Sequence, residues 1–301
     1  MADKPISFMV MVVQLVPVLA AMLSVQQAQP PRKPAAKQGD DVVVTAPTER
    51  SLDVFVEQMT RLRRGDQLAR WNTLVCPRIL GLNDEHAAII AGRVRQIARA
   101  LDIPVDDDSD CQGNIIVVVT RDANAFTKGL LERYPRLAQD PSHGVGHLDS
   151  LKERLLKPRP VRWLGADRTR SPARSSAMAS RLSVPARRDA ILSLAIVDRT
   201  DQKGANWQQL ADYLSMVALA KPDMETRYNP ASILSLYQPH PGEGPPPGLS
   251  AIDYRYLQAL YRTDAGRSAD QQRSAIRAMM KRPMNDNGTG GHHTRERGPE
   301  E

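Results

Sequence analysis

The chain has 301 residues, a formal net charge of +7 and an aromatic content of 4%. Because few aromatic side chains are present, the core must consist of Leu, Val, Ile, Ala and Met. Once the terminal segments that carry no core are set aside, the remaining length suits one domain rather than two. Eleven basic residues against two acidic ones fall within Lys152–Arg188. The basicity therefore belongs to one segment.

Residues 1–28 have the layout of an export signal. Lys4 and the amino terminus precede an apolar run without charge, residues 6–25. This pattern predicts a periplasmic or secreted protein and argues against nucleic acid as a partner. The run is also about as long as a membrane-spanning helix. An uncleaved anchor through residues 6–25 is therefore the alternative.

Residues 29–49 are rich in proline and are expected to form an extended, solvated linker. Inside them, Asp40–Ala46 is a valine-rich run behind an acidic pair. It resembles the boxes through which outer-membrane transporters engage an energy-coupling protein by strand addition. This resemblance implies an envelope protein partner, and the alternative is a plain exposed strand or linker.

Residues 50–267 are predicted to form a single α+β domain with a mixed sheet flanked by helices. In its first half, apolar residues at three- and four-residue steps predict helices, and short apolar or β-branched runs predict strands. These are a helix from Ser51, a strand through Leu74–Leu80, a helix over Glu85–Leu101, a strand over Asn114–Thr120 and a helix over Ala125–Tyr134. The β-branched run in the second strand indicates burial on both faces.

The second half is predicted in the same way. Its elements are a short strand Val161–Leu164, a loop over Ala166–Pro185, a buried strand Ala190–Val197, a helix Asn206–Lys221 and a last helix capped by Ser250. Residues 268–301 are read as a helical extension followed by a disordered polar tail.

Cys76 and Cys111 are the two cysteines of the chain. An even number in an oxidising compartment favours a disulfide. One cysteine belongs to the first predicted strand and the other precedes the next, which would make them neighbours in a parallel sheet. Two separate buried thiols are the alternative.

Metal and nucleophile motifs are incomplete. A zinc-peptidase helix needs two His four residues apart with a Glu beside the first, yet the helix around Asp212 has neither His nor Glu. Gly144 and Gly146 separate His143 from His147, which disfavours a helical pair. We therefore expect no metal and no cofactor. The candidates for catalysis are Asp212, Tyr213 and Ser232.

The basic window, Lys152–Arg188, is the one positive signal for binding. Arg168, Arg170, Arg174 and Arg181 are its candidate contact residues. They predict an anionic partner such as a lipid headgroup or an acidic cell-wall polymer. The alternative is a solvated loop whose charge only aids solubility.

Several short motifs resemble a known family. They are Arg70-Trp71 before the first strand, the helix Gln209–Leu219, Ser232-Ile233-Leu234, and the closing pattern from Leu249-Ser250 through Asp253 and Leu257 to Leu260-Tyr261. Together they resemble uncharacterised bacterial exported proteins with a zincin-like domain of unknown function. Members with the fuller pattern carry a Glu early in the long helix and an Asn-Asp pair after it. This chain has Ala211 or Asp212 at the first place and lacks the second.

The resemblance implies a zincin-like topology without its metal centre. The expected role is non-catalytic binding or scaffolding in the bacterial envelope. The alternative is a hydrolase whose site assembles from the dispersed residues Asp212, Tyr213 and Ser232. In that case the arginines of the basic window would bind an anionic substrate.

Overall fold

The computed structural model describes residues 48–60, 67–108, 111–138, 148–170, 186–240 and 244–282. Contacts divide the chain into Met1–Thr45 and Ala46–Glu301, and every described residue belongs to the second unit. The predicted leader, most of the linker and the polar tail lie outside the described residues. Within the described ranges, no helix has the length and apolar character that crossing a membrane requires.

A four-stranded mixed sheet forms the centre of the fold, as predicted. Its strands are β1 (Pro77–Leu80), β2 (Ile115–Thr120), β3 (Val161–Arg170) and β4 (Arg187–Asp198). Their spatial order is β1-β2-β4-β3. β2 pairs in parallel with β1 and β4, while β3 runs antiparallel to β4 at the edge. Parallel neighbours need a long crossover, and a helix supplies it between β1 and β2.

Seven α-helices lie within the described residues. They are α1 (Glu49–Thr60), α2 (Asp84–Ala100), α3 (Ala123–Arg133), α4 (Leu148–Leu156), α5 (Trp207–Ala220), α6 (Ala251–Arg262) and α7 (Ala269–Lys281). Together with the sheet they make the α+β content that the sequence predicts. α7 packs against α1 and α6, and it buries Ile276 and Met280 in the main core.

The two faces of the sheet are covered by different helices. On β2, Ile115, Val117 and Val119 point into the main core with α1, α2, α5, α6 and α7. Ile116 and Val118 point to the opposite face, where they are partly buried against a smaller cluster from α3 and α4. The predicted burial of β2 on both faces is confirmed for the face toward the main core, whereas the opposite face is only partly buried because fewer helices pack there.

α5 is the most deeply buried helix. Asn206 and Gln209 form a capping box at its start, and Lys221, in the left-handed conformation, ends it before Pro222. Nearly every residue of α5 is buried. The sequence predicted one apolar face, but α5 packs against α2, α6 and β4 together, and a helix enclosed on all sides is buried all round.

Three local predictions differ from the structure. β3 continues to Arg170, so strand replaces the first part of the predicted loop 166–185; antiparallel pairing with β4 holds this polar stretch extended, with an irregularity at Ala166/Asp167. The first strand is regular over Pro77–Leu80 only, and Val75 makes an isolated bridge to Val105. α4 was not predicted. Residues 171–185 lie outside the described part of the chain.

Cys76 and Cys111 form a disulfide with a Cα–Cα distance of 6.2 Å. Cys76 immediately precedes β1, and Cys111 lies shortly before β2. The first residues of these two strands, Pro77 and Ile115, are register partners. Parallel pairing therefore brings the two cysteines together, which confirms the predicted bridge and its reason.

Candidate ligand-binding site

The segment 70–72 runs beside the start of β4 and positions the candidate site. The N–H of Arg70 donates to the carbonyl of Arg188 at 3.3 Å, and the N–H of Ala190 donates to the carbonyl of Arg70 at 2.8 Å. These bonds make a short parallel bridge between Arg70 and Asp189. They fix the backbone from which the Arg70, Trp71 and Asn72 side chains project.

Asp189 is a fully buried carboxylate near the end of the β3–β4 hairpin, where the two strands are connected. The Nε atoms of Arg170 and Arg187 each lie 3.0 Å from one of its oxygens. Asn72 adds a hydrogen bond from Nδ2 at 2.7 Å. A buried carboxylate needs such partners, so both arginines are partly committed to holding the hairpin.

A cavity of about 300 Å³ lies next to this hairpin. It is bounded by the C-terminal ends of α2 and α6 and by the segment 70–72. The side chains that give it chemical character are Arg70, Trp71, Asn72, Asp102, Gln258 and Arg262. Its lining combines apolar residues with polar ones, and two arginines and one aspartate are its charged members.

Arg70 is the unusual member of this lining because its side chain is charged and only 4% exposed. Its Nη1 donates to the carbonyl of Leu260 at 2.7 Å and to that of Thr263, so it caps the C-terminal end of α6. Burial lowers the pKa of the Arg70 guanidinium, while Tyr261, Asp264 and Asp189 act to raise it. An arginine nevertheless stays charged at neutral pH.

Asp212, the first catalytic candidate, joins three parts of the fold. It forms an ion pair with Arg93 of α2 and accepts a hydrogen bond from the N–H of Leu249 at 2.9 Å. Its side chain is almost fully buried. These contacts tie α5 to α2 and to the segment that enters α6.

Tyr213, the second candidate, lies in an aromatic cluster. Its ring meets Trp163 edge-on at a centroid distance of 6.0 Å and Tyr237 at 5.2 Å. Burial raises the pKa of the Tyr213 phenol well above its usual value. The phenol therefore stays neutral at physiological pH.

Ser232, the third candidate, belongs to a capping network. Its hydroxyl donates to Oδ1 of Asp253 at 2.5 Å and accepts from the N–H of Leu234 at 3.2 Å. The other Asp253 oxygen accepts from the N–H groups of Ile233 and Ser250. Within the described residues, no hydrogen bond or ion pair joins Asp212, Tyr213 and Ser232 to one another.

The described part of the basic window, 152–170 and 186–188, does not form one continuous patch. Arg162 is 1% exposed and donates to the Arg159 and Ala123 carbonyls. Arg154, Lys157 and Arg159 surround Glu225, and Arg188 pairs with Asp167 at 2.6 Å. Of the predicted contact residues, Arg168 is exposed, Arg170 binds Asp189, and Arg174 and Arg181 lie outside the described residues.

Sequence reasoning missed the cavity. Asn72, Gln258 and Arg262 come from distant segments, and Arg70 stood out only through the family resemblance. One local signal did exist for the neighbouring ion pairs, because Asp189 stands between two arginines and a mainly apolar strand. A carboxylate at such a place indicates a buried ion pair.

The described residues contain no cluster of three or more His, Cys, Asp or Glu side chains able to hold a metal ion. His143, His147, His292 and His293 fall outside them. Comparison with known proteins finds no matching family model, no matching curated protein and no matching solved structure.

Proposed function

We propose that this protein is a non-catalytic binding protein of the bacterial envelope, and that the end of its β3–β4 hairpin contacts an anionic lipid surface. The observation that carries the proposal is the grouping of exposed or half-exposed guanidinium groups at that end, namely Arg168, Arg170 and Arg187. Arg174 and Arg181 belong to the connection between β3 and β4 in the sequence and lie outside the described residues.

Charge balance supports this choice of surface. Asp189 neutralises part of the positive charge of Arg170 and Arg187. Because its carboxylate is buried, the groups exposed to solvent at the hairpin end are the guanidinium groups. Arg168 is exposed, and no carboxylate among the described residues pairs with it. Each basic residue near an anionic membrane contributes up to about 1 kcal/mol, screened within one Debye length. Three or four acting together give measurable binding.

Vesicle sedimentation tests the proposal with the full-length chain. The substitutions are Arg168→Gln, Arg174→Gln and Arg181→Gln together, with Arg170 retained because it holds Asp189. The matched control replaces Arg121, Arg136 and Arg199, three exposed arginines outside the window, and removes the same charge. We expect the hairpin variant alone to bind phosphatidylglycerol vesicles at least about tenfold more weakly at low salt.

Phosphatidylcholine vesicles give the contribution of the apolar run 6–25, which all three proteins share. The proposal concerns the excess binding to anionic over neutral vesicles. Equal losses in the hairpin and control variants would mean that net charge alone drives association. No excess in the parent protein would contradict the proposal directly.

A further inference from the structure

The cavity beside Arg70 has the dimensions of a small-molecule site. Its volume of about 300 Å³ lies at the lower end of the range for ligand pockets. The walls are held firmly, because Trp71 donates from its indole N–H to the Ala218 carbonyl at 2.9 Å and Tyr261 donates to the Leu219 carbonyl at 2.9 Å. A rigid site of this kind loses little conformational entropy on binding.

Arg70 supplies donors that the protein does not use. A guanidinium carries five N–H donors, and the side-chain hydrogen bonds of Arg70 to the described residues all come from Nη1. Nε and Nη2 therefore have no acceptor among those residues. Neither atom is among the fully enclosed polar atoms that lack a partner, so both keep access to solvent, where a ligand could accept a hydrogen bond from them. Arg70 is one of the residues that line the cavity.

The neighbouring groups favour an anion with polar substituents. Arg262 adds an exposed guanidinium, so the charged lining residues Arg70, Arg262 and Asp102 sum to +1. Gln258 brings an amide that can both donate and accept. Asn72 donates through Nδ2 to Asp189, which leaves its carbonyl oxygen as an acceptor.

We infer that this cavity binds a small carboxylate, with Arg70 and Arg262 contacting the carboxylate group. The planar fork of a guanidinium matches a carboxylate through two parallel hydrogen bonds, and Arg70 retains the Nε and Nη2 donors for such a pair. Gln258 and Asn72 recognise a hydroxyl or amino substituent on the ligand. This site is separate from the proposed membrane contact, since Arg168, Arg174 and Arg181 are not among the lining residues.

Titration of the full-length protein followed by NMR tests the inference. The probes are acetate, L-alanine and succinate, each compared with its uncharged amide or diamide and with inorganic phosphate. We expect at least one carboxylate to shift the Arg70 Nε–H and Gln258 side-chain signals saturably. Its amide should bind at least about tenfold more weakly, because it cannot form the charge-assisted pair.

Two substitutions locate the binding. Arg262→Gln lies on an exposed rim, where folding is not at risk, and should weaken carboxylate binding about threefold to tenfold. Arg70→Lys keeps the charge but removes the fork, and should abolish saturable binding in protein whose unfolding remains cooperative. Arg121→Gln, an exposed arginine far along the chain, is the matched control and should change nothing.

Several results would overturn the inference. They are the absence of saturable shifts with all three carboxylates, equal affinity for a carboxylate and its amide, and equal affinity for phosphate. Unchanged binding in both Arg262→Gln and Arg70→Lys would do the same. None of these outcomes depends on vesicle binding, so this inference and the proposed function fail independently.

Discussion

Gly248 and Asp212 lie so close together that a β-carbon at position 248 would stand 2.6 Å from Oδ2 of Asp212. That carboxylate is held in place by Arg93 and by the N–H of Leu249. The segment entering α6 can therefore approach α5 only with a residue that lacks a side chain. Gly248 is required by contact, and its backbone dihedral is not in the left-handed region.

Replacing Gly248 with alanine should lower the free energy of unfolding by about 1–3 kcal/mol, because the carboxylate or the α6 entry segment must move. Gly92→Ala is the matched control. Gly92 lies inside α2, where an added β-carbon meets nothing within 4 Å, so this change should stabilise the chain by about 0.5–1 kcal/mol. Urea unfolding measures both, and a Gly248→Ala variant as stable as Gly92→Ala would contradict the contact.

The disulfide should contribute substantially to stability. Cys76 and Cys111 are 35 residues apart in sequence, and closing such a loop is worth about 4 kcal/mol in the chain-entropy model. The double variant Cys76→Ser with Cys111→Ser should therefore unfold at a clearly lower urea concentration. Intact mass without reduction should show the parent 2 Da lighter than the reduced chain, and free thiols in the oxidised parent would refute the bridge.

Asp198 should make stability depend on acid pH. Burial acts to raise the pKa of this carboxyl, but hydrogen bonds from Thr200 and from the N–H of Ala123 outweigh it and hold the folded pKa below the usual value. A carboxyl with a depressed folded pKa stabilises fully above about pH 4, and this contribution is lost as pH falls through the folded pKa.

Asp198→Asn should cost about 1 kcal/mol at pH 7 and should flatten the loss of stability between pH 4 and pH 2. Glu132→Gln, which removes an exposed carboxyl of α3, serves as the control. Chemical unfolding at a series of pH values provides the measurement. If both variants kept the acid slope of the parent, Asp198 would not be its source.

Because Asp189 pairs with two arginines, the effects of substituting these residues on the free energy of unfolding should not be additive. Arg170→Gln with Arg187→Gln leaves a fully buried carboxylate with Asn72 as its remaining partner, and should cost about 3–5 kcal/mol. Adding Asp189→Asn removes the uncompensated charge, so the triple variant should be more stable than the double. Arg168→Gln is the control for surface charge. A triple variant less stable than the double would show that the unpaired Asp189 charge is not the main cause of the destabilisation.

The sequence by itself determined the elements whose pattern is local. The period of α2, the β-branched run of β2, the helical pattern from Asn206 and the polar cap at Ser250 all predicted structure at the right places. The pairing of Cys76 with Cys111 also followed, because the chain has two cysteines and each lies at or just before a strand that a parallel sheet would place side by side. Helix periodicity and capping depend on residues a few positions apart, so a single sequence carries them.

Tertiary structure alone decided what depends on distant partners. β3 extends to Arg170 because β4 pairs with it, although its own residues read as a loop. The basic window divides into buried, paired and exposed arginines because Glu225, Asp167 and Asp189 fold against them. The cavity joins Arg70 to Gln258 and Arg262, nearly two hundred residues further along the chain. Charge and pattern are properties of the sequence, whereas burial and pairing arise only when the elements pack together.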